Sequence, residues 1–188
     1  MIKAVESGPV ITPVAYEKAN LTLRSHKGSG YRYHKDGIYD YGSWNTIKNQ
    51  ILKIVKVEGP IHKDILYERI RDSWMMKNAT SKLKSHIDNI ARQTRVVRDS
   101  SDFFWASSEK RISSYRNIGE HRDSKHVSKE EVALVFQAIF DVSRGTIGKD
   151  EIQRLTSQIF GWGKRTAKVT RKLDEALNHW KLGNSIKD

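Results

Sequence analysis

Two clusters of cations are the residues best placed to do chemistry in this chain. Lys77 to Arg95 holds five Lys or Arg against the single acid Asp88, a net +4, and Lys164 to Lys181 holds six against Asp174 and Glu175, also +4. Together they carry about two-thirds of the formal charge of +12 on 188 residues. A positive field localised in this way suits a polyanion, and repeated phosphates are the groups it would engage. The plainer alternative is that these side chains solvate exposed helix faces, although both clusters share the bias.

Other chemistries find less support. A phosphate loop needs G-x-x-x-x-G-K-[ST], so that backbone N–H groups wrap the phosphates and Lys reaches them. Gly145-Thr146-Ile147-Gly148-Lys149-Asp150 is too short and ends in Asp, and Gly163-Lys164-Arg165 lacks the earlier glycine; both read as turns. The seven histidines are scattered, and His121 and His126 stand five apart, which is neither a helical pair nor a paired metal motif. Lys63-Asp64 and Lys149-Asp150 are adjacent acid–base pairs, but a nuclease needs further carboxylates converging on a metal. Their place at the start of a helix explains them better. The chain therefore reads as non-catalytic, with no catalytic residue, metal ligand or cofactor assigned.

The elements that position the cations follow from hydrophobic spacing. Ile47, Ile51, Ile54 and Val55 lie on one face of a helix predicted over Trp44 to Val57. After the Gly59-Pro60 turn, Ile65, Leu66, Ile70 and Trp74 mark a second helix, closed by Met75-Met76 as core filling. Leu83, Ile87, Ile90 and Ala91 mark a third, opened by Thr80 or Ser81 as cap and basic on its opposite face. Two helices joined by a brief turn outline a helix-turn-helix. Val96-Val97 and Phe103-Phe104-Trp105, around a four-residue polar turn, read as a β-hairpin with Arg95 and Arg98 on its first strand. Three helices and a hairpin make a winged helix, the hairpin being the wing.

The same outline returns 86 residues later. Gly59 falls on Gly145, Lys63-Asp64 on Lys149-Asp150, Trp74 on Phe160, Thr80 on Thr166, Leu83 on Val169 and Asp88 on Asp174, without a gap. Turn and core positions dominate the match, so two copies of one unit are expected. The first helix of copy two begins at Ser128-Lys129-Glu130-Glu131, which has capping-box spacing. Too little chain follows Gly183 for a full wing, so copy two has a vestigial wing or none.

The expected organisation is an extended arm or connector over 1–43, a winged-helix domain over 44–106, a linker over 107–126 and a winged-helix-like domain over 127–188. The fold class is mainly α with a short β-hairpin, as tandem winged-helix units. Val10 to Ala15 and Leu21 to Leu23 are candidate extended segments, and Tyr31, Tyr33, Tyr39 and Tyr41 either anchor the arm or stack on a nucleic acid. The linker includes a possible ordered piece at Tyr115–Ile118. No run of 18 apolar residues suggests a membrane span, and the N-terminus does not read as a signal peptide. Absence of cysteine excludes a disulfide framework and is compatible with the cytoplasm, the expected location.

Glu58-Gly59-Pro60-Ile61-His62, Arg69-Ile70 and Phe103-Phe104-Trp105 resemble an uncharacterised domain near the C-terminus of large bacterial superfamily 1 helicase-like proteins, several of which also carry a very-short-patch-repair-type endonuclease domain. The resemblance covers about Trp44 to Ala106. It departs where the family usually has Gly near Met75 or Met76, a basic residue near Asn78 and Gly near Ser81. It implies association with DNA-processing or defence proteins and supplies no activity.

The expected function is a non-catalytic DNA-binding module for duplex or forked DNA. Lys77, Lys82, Lys84, Lys164, Arg165, Lys168, Arg171 and Lys172 are expected on phosphates, with Arg95 and Arg98 on the wing. Asn78, Thr80, Ser81 and Ser85 are expected to face bases. The rival reading is a protein-interaction or regulatory module that docks helicase or nuclease domains, with Trp162 and Tyr115 as exposed aromatic contacts.

Overall fold

In the computed structural model, which describes residues 14–23, 37–109, 112–118, 122–163 and 166–185, the chain is mainly helical with a small antiparallel sheet of three strands. In chain order the elements are β1 (Val14–Ala15), α1 (Trp44–Glu58), β2 (Ile61–His62), α2 (Lys63–Ser73), α3 (Ser81–Arg92), β3 (Val97–Arg98), β4 (Phe103–Trp105), β5 (Arg116–Ile118), α4 (Lys129–Val142), α5 (Lys149–Ile159) and α6 (Ala167–Ser185). The described residues fall into two compact units. One lies within Glu17–Lys110; the other comprises the described residues of Met1–Tyr16 and Arg111–Asp188. Tyr31 and Tyr33 of the expected arm, and Lys164 and Arg165 of the expected contacts, lie outside the described residues.

In the Glu17–Lys110 unit, α1, α2 and α3 pack around one core. Ile47, Ile51, Ile54, Leu66, Ile70, Leu83 and Ile87 are all fully buried. They are the positions that the helical spacing selected, because burying one apolar stripe per helix is the main favourable term in forming a small core. Strand β4 lies centrally in the sheet, antiparallel to both β2 and β3, with Ile61 opposite Phe104 and Val97 opposite Trp105. The hairpin turn is organised by Asp99. Its carboxylate accepts from the backbone N–H groups of Ser101 and Phe103, each at 2.9 Å, and from the Trp105 indole at 2.8 Å. Gly59 cannot be replaced without movement, since a Cβ there would collide with the Val55 carbonyl.

The second unit repeats the three-helix frame in register. Moving α2 by 86 residues reproduces the bounds of α5, and Ser81, which opens α3, falls on Ala167, which opens α6. The caps repeat too. Thr80 accepts from the Leu83 N–H at 3.2 Å and Thr166 from the Val169 N–H at 3.3 Å. Both second helices end in a Schellman motif. Met76 N–H reaches the Arg71 carbonyl at 3.1 Å and Trp162 N–H reaches that of Ser157 at 2.8 Å. The residue between cap and return is left-handed in each, Met75 at φ 53° and Gly161 at φ 67°. Even a polar contact is kept: Tyr67 donates to Asp88 at 2.7 Å, and Gln153 to Asp174 at 3.0 Å. Among the described residues no strand follows α6, which runs on to Ser185.

Residues 112–118 and 122–126, expected as linker, are built into this second unit. Strand β5 pairs in parallel with β1, and Tyr115, Arg116, Arg122 and Ser124 are buried. Two guanidiniums converge on the fully buried Glu131 (Arg116 at 3.0 Å and Arg122 at 2.8 Å) while Glu131 closes the predicted capping box with Ser128. Burial pushes the Glu131 carboxyl up, but the two guanidiniums and their hydrogen bonds more than offset it and hold it at about 2. Of the candidate extended segments, Val14–Ala15 is a strand, residues 10–13 are outside the described set, and Leu21–Leu23 forms no regular element. Trp162 and Tyr115 are not exposed docking aromatics. They are 5% and 6% exposed, the Trp162 ring stacks on Phe160, and its indole donates to the Arg122 carbonyl.

Candidate nucleic-acid interface

Helix α3 forms because its apolar residues recur at positions 83, 87, 90 and 91, which places Ser81, Lys82, Ser85, Asn89 and Arg92 on the opposite side. All five are exposed, as are Lys77, Asn78, Thr80 and Lys84 around the helix start. The Thr80 hydroxyl oxygen is already committed as the cap acceptor. Lys82 stands 4.1 Å over the Tyr39 ring, which in turn meets His86 edge-on, while His86 contacts the Ile38 carbonyl at 3.1 Å. Tyr39 therefore anchors its segment to α3 and does not stand free for a base. Lys84 lies 6.0 Å over Tyr67.

The single acid on α3, Asp88, stands one turn from both Lys84 and Arg92 and is half-buried, with its carboxylate already engaged. Asp88 accepts from the Tyr67 hydroxyl and lies 3.4 Å from Arg98. Burial first, then the bond to Asp88, pushes the Tyr67 hydroxyl above its ordinary range and keeps it a donor. The outward side of α3 is thus cationic and neutral-polar, and the charge of its one carboxylate is met by Arg98. The N-terminal end of the helix adds the positive end of the backbone dipole.

Arg95 is exposed beyond the end of α3. Arg98 is differently employed from the sequence expectation. Its guanidinium meets Asp102 at 2.5 Å as well as Asp88, and Lys63 meets the same Asp102 at 2.6 Å. Burial pushes the Asp102 carboxyl up, but the hydrogen bonds from Lys63 and Arg98 leave it below the usual range. This local group of two cations and two anions balances, so Arg98 serves to hold the hairpin against α2 and α3.

On α6, Lys168 and Arg171 are exposed and Lys172 is half-buried. Arg171 has Glu175 at 4.0 Å one turn on, so this helix face carries mixed charge. Sequence reasoning missed Asn89 and Arg92, although helical spacing from Ser81 and Ser85 would have found them. The Arg92 guanidinium donates to the Asn89 side-chain oxygen, tying the two into one polar group.

A family described as a protein of unknown function (DUF3320) matches residues 36–85. That stretch takes in α1, β2, α2 and the start of α3. Comparison with curated proteins and with solved structures gave no match.

Proposed function

We propose that the chain is a non-catalytic DNA-binding module, built on winged-helix units, of a helicase- or nuclease-type DNA-processing or defence protein. The observation that carries this reading is the outward side of α3, where Lys82, Lys84 and Arg92 surround Ser81, Ser85 and Asn89 while the Asp88 carboxylate is engaged by Tyr67 and Arg98. The order helix, strand, helix, helix, hairpin and the sheet order β2-β4-β3 support the winged-helix assignment. In such a unit the third helix is the element that enters a groove. Cations position the module on phosphates, and the neutral polar residues between them face base edges.

The test is fluorescence anisotropy with duplex, single-stranded and forked DNA over a salt series. Micromolar or tighter binding that falls steeply with salt is expected. Absence of binding to all three at about 50 mM salt, where phosphate attraction is strong, would overturn the reading.

A further inference from the structure

A second site lies on the same unit and is independent of any nucleic acid. Glu58 is the last residue of α1 and is fully buried. A carboxylate there faces the negative end of its own helix and has lost its water, and both are costly. What it meets is a piece of backbone. The Ala19 N–H donates to Glu58 Oε1 at 3.0 Å, Arg69 Nε donates to the same oxygen at 2.9 Å, and Arg69 Nη2 donates to the Ala19 carbonyl at 2.6 Å. The pair therefore grips both polar groups of one extended residue, as a neighbouring strand would, but with side chains. The Ala19 methyl is buried in the core cluster at 3% exposure, so only a small residue fits there.

The segment does not fill its groove. A cleft of about 220 Å³ remains beside it, between Asn20, Leu21 and Thr22 on one side and Thr46, Asn49, Gln50 and Lys53 of α1 on the other. Moreover, the matched family stretch of residues 36–85 contains Glu58, Arg69 and this face of α1, but not Ala19. Ala19 belongs to the same compact unit, Glu17–Lys110, and reaches the pair from a separate stretch of chain, 39 residues before Glu58.

We propose that Glu58 and Arg69 form a backbone clamp for an extended peptide with a small residue at its centre. Residues 17–23 are its occupant in cis, and a partner's extended segment of the same chemistry replaces them. Ala19→Trp in the full chain removes the small residue and vacates the clamp. A fluorescein-labelled peptide with the sequence of residues 16–23 should then bind saturably, and at least about ten-fold more tightly than it binds the unaltered chain, where the tethered segment competes at an effective concentration on the order of millimolar. Adding Arg69→Met should abolish that binding.

No binding by a folded Ala19→Trp chain, or binding indifferent to Arg69→Met, would overturn the proposal. Should the Trp variant not fold, hydrogen exchange on the unaltered chain decides. The Ala19 amide should exchange at least about ten-fold faster than those of Ile51 and Ile87, reporting release of the segment alone. Equal rates would make the segment an inseparable part of the core and refute an exchangeable site.

Discussion

If the chain binds DNA as proposed, salt dependence should separate two arginine and lysine roles that look alike in sequence. Lys77, Lys82, Lys84, Arg92 and Arg95 are exposed along and beside α3, whereas Arg98 is held by Asp102 at 2.5 Å and Asp88 at 3.4 Å. If each of the five reaches a phosphate, log affinity falls against log salt with a slope of about −4.5, at roughly 0.9 per phosphate. Raising salt from about 50 to about 200 mM would then cost roughly 500-fold in affinity. Lys84→Gln should flatten the slope by about 0.9, so the same salt step costs about 3.5-fold less than in the unaltered chain. Arg98→Gln should leave the slope within about 0.3 of the original, because its charge is already compensated and releases no counterion. Anisotropy titrations of a fixed duplex at five salt concentrations measure both slopes. Equal flattening by the two substitutions would refute the assignment of Arg98 to the hairpin, and no flattening by Lys84→Gln would remove α3 from the interface.

Three further outcomes test the frame that holds this surface. The Glu131 carboxyl is held at about 2 against an ordinary 4.5, so its contribution is complete above about pH 4.5 and is lost as pH falls through about 2. That shift amounts to roughly 3 kcal/mol. Glu131→Gln should destabilise the second unit by about 3–5 kcal/mol at pH 7, leaving Arg116 and Arg122 buried without their anion. Hydrogen exchange of α4 amides should show the gap to the unaltered chain narrowing below pH 4.5; a constant gap would contradict the ion network. Met75 is 65% exposed and left-handed, so Met75→Gly should raise stability in urea melts by up to about 1 kcal/mol, and a loss would show that the side chain matters. Thr166→Ala removes the acceptor for the Val169 N–H and should cost about 1 kcal/mol by the same melts, with unchanged stability arguing that the cap is replaced by water.

The frame was legible because its signals are periodic and local. Ile47, Ile51 and Ile54, or Leu83, Ile87 and Ile90, announce a buried stripe by spacing alone, and Thr80, Ser128 and Gly161 stand where caps and helix returns require their types. The 86-residue repeat was found at the same positions for the same reason. What spacing does not carry is a contact made in three dimensions by long side chains. Arg116 and Arg122 lie in the stretch expected as linker, yet they close on Glu131, fifteen and nine residues away. Glu58 and Arg69 stand eleven apart on two different helices, and nothing in their spacing announces that Ala19 completes the set. Trp162 looked exposed between two glycines, but its indole has a buried carbonyl to reach.

The repeat also shows where the two units part company. Position for position, the outward residues Lys82, Ser85, Asn89 and Arg92 of α3 become Lys168, Arg171, Glu175 and Asn178 on α6. The core and caps between them are kept, so the difference lies in what each helix offers to a partner. On α3 the small neutral residues leave room for a base edge to approach between cations. On α6 the corresponding place is occupied by the long, exposed Arg171 with Glu175 at 4.0 Å, so bulk and mixed charge stand where α3 has Ser85 and Asn89. On the proposed DNA-binding reading, any sequence discrimination should therefore reside on α3, with α6 adding affinity through Lys168 and Arg171. Ser85→Arg, which copies the α6 residue into α3, should raise non-specific DNA affinity while compressing the ratio between a preferred duplex and a scrambled one. Preservation of that ratio would place base recognition elsewhere on the chain.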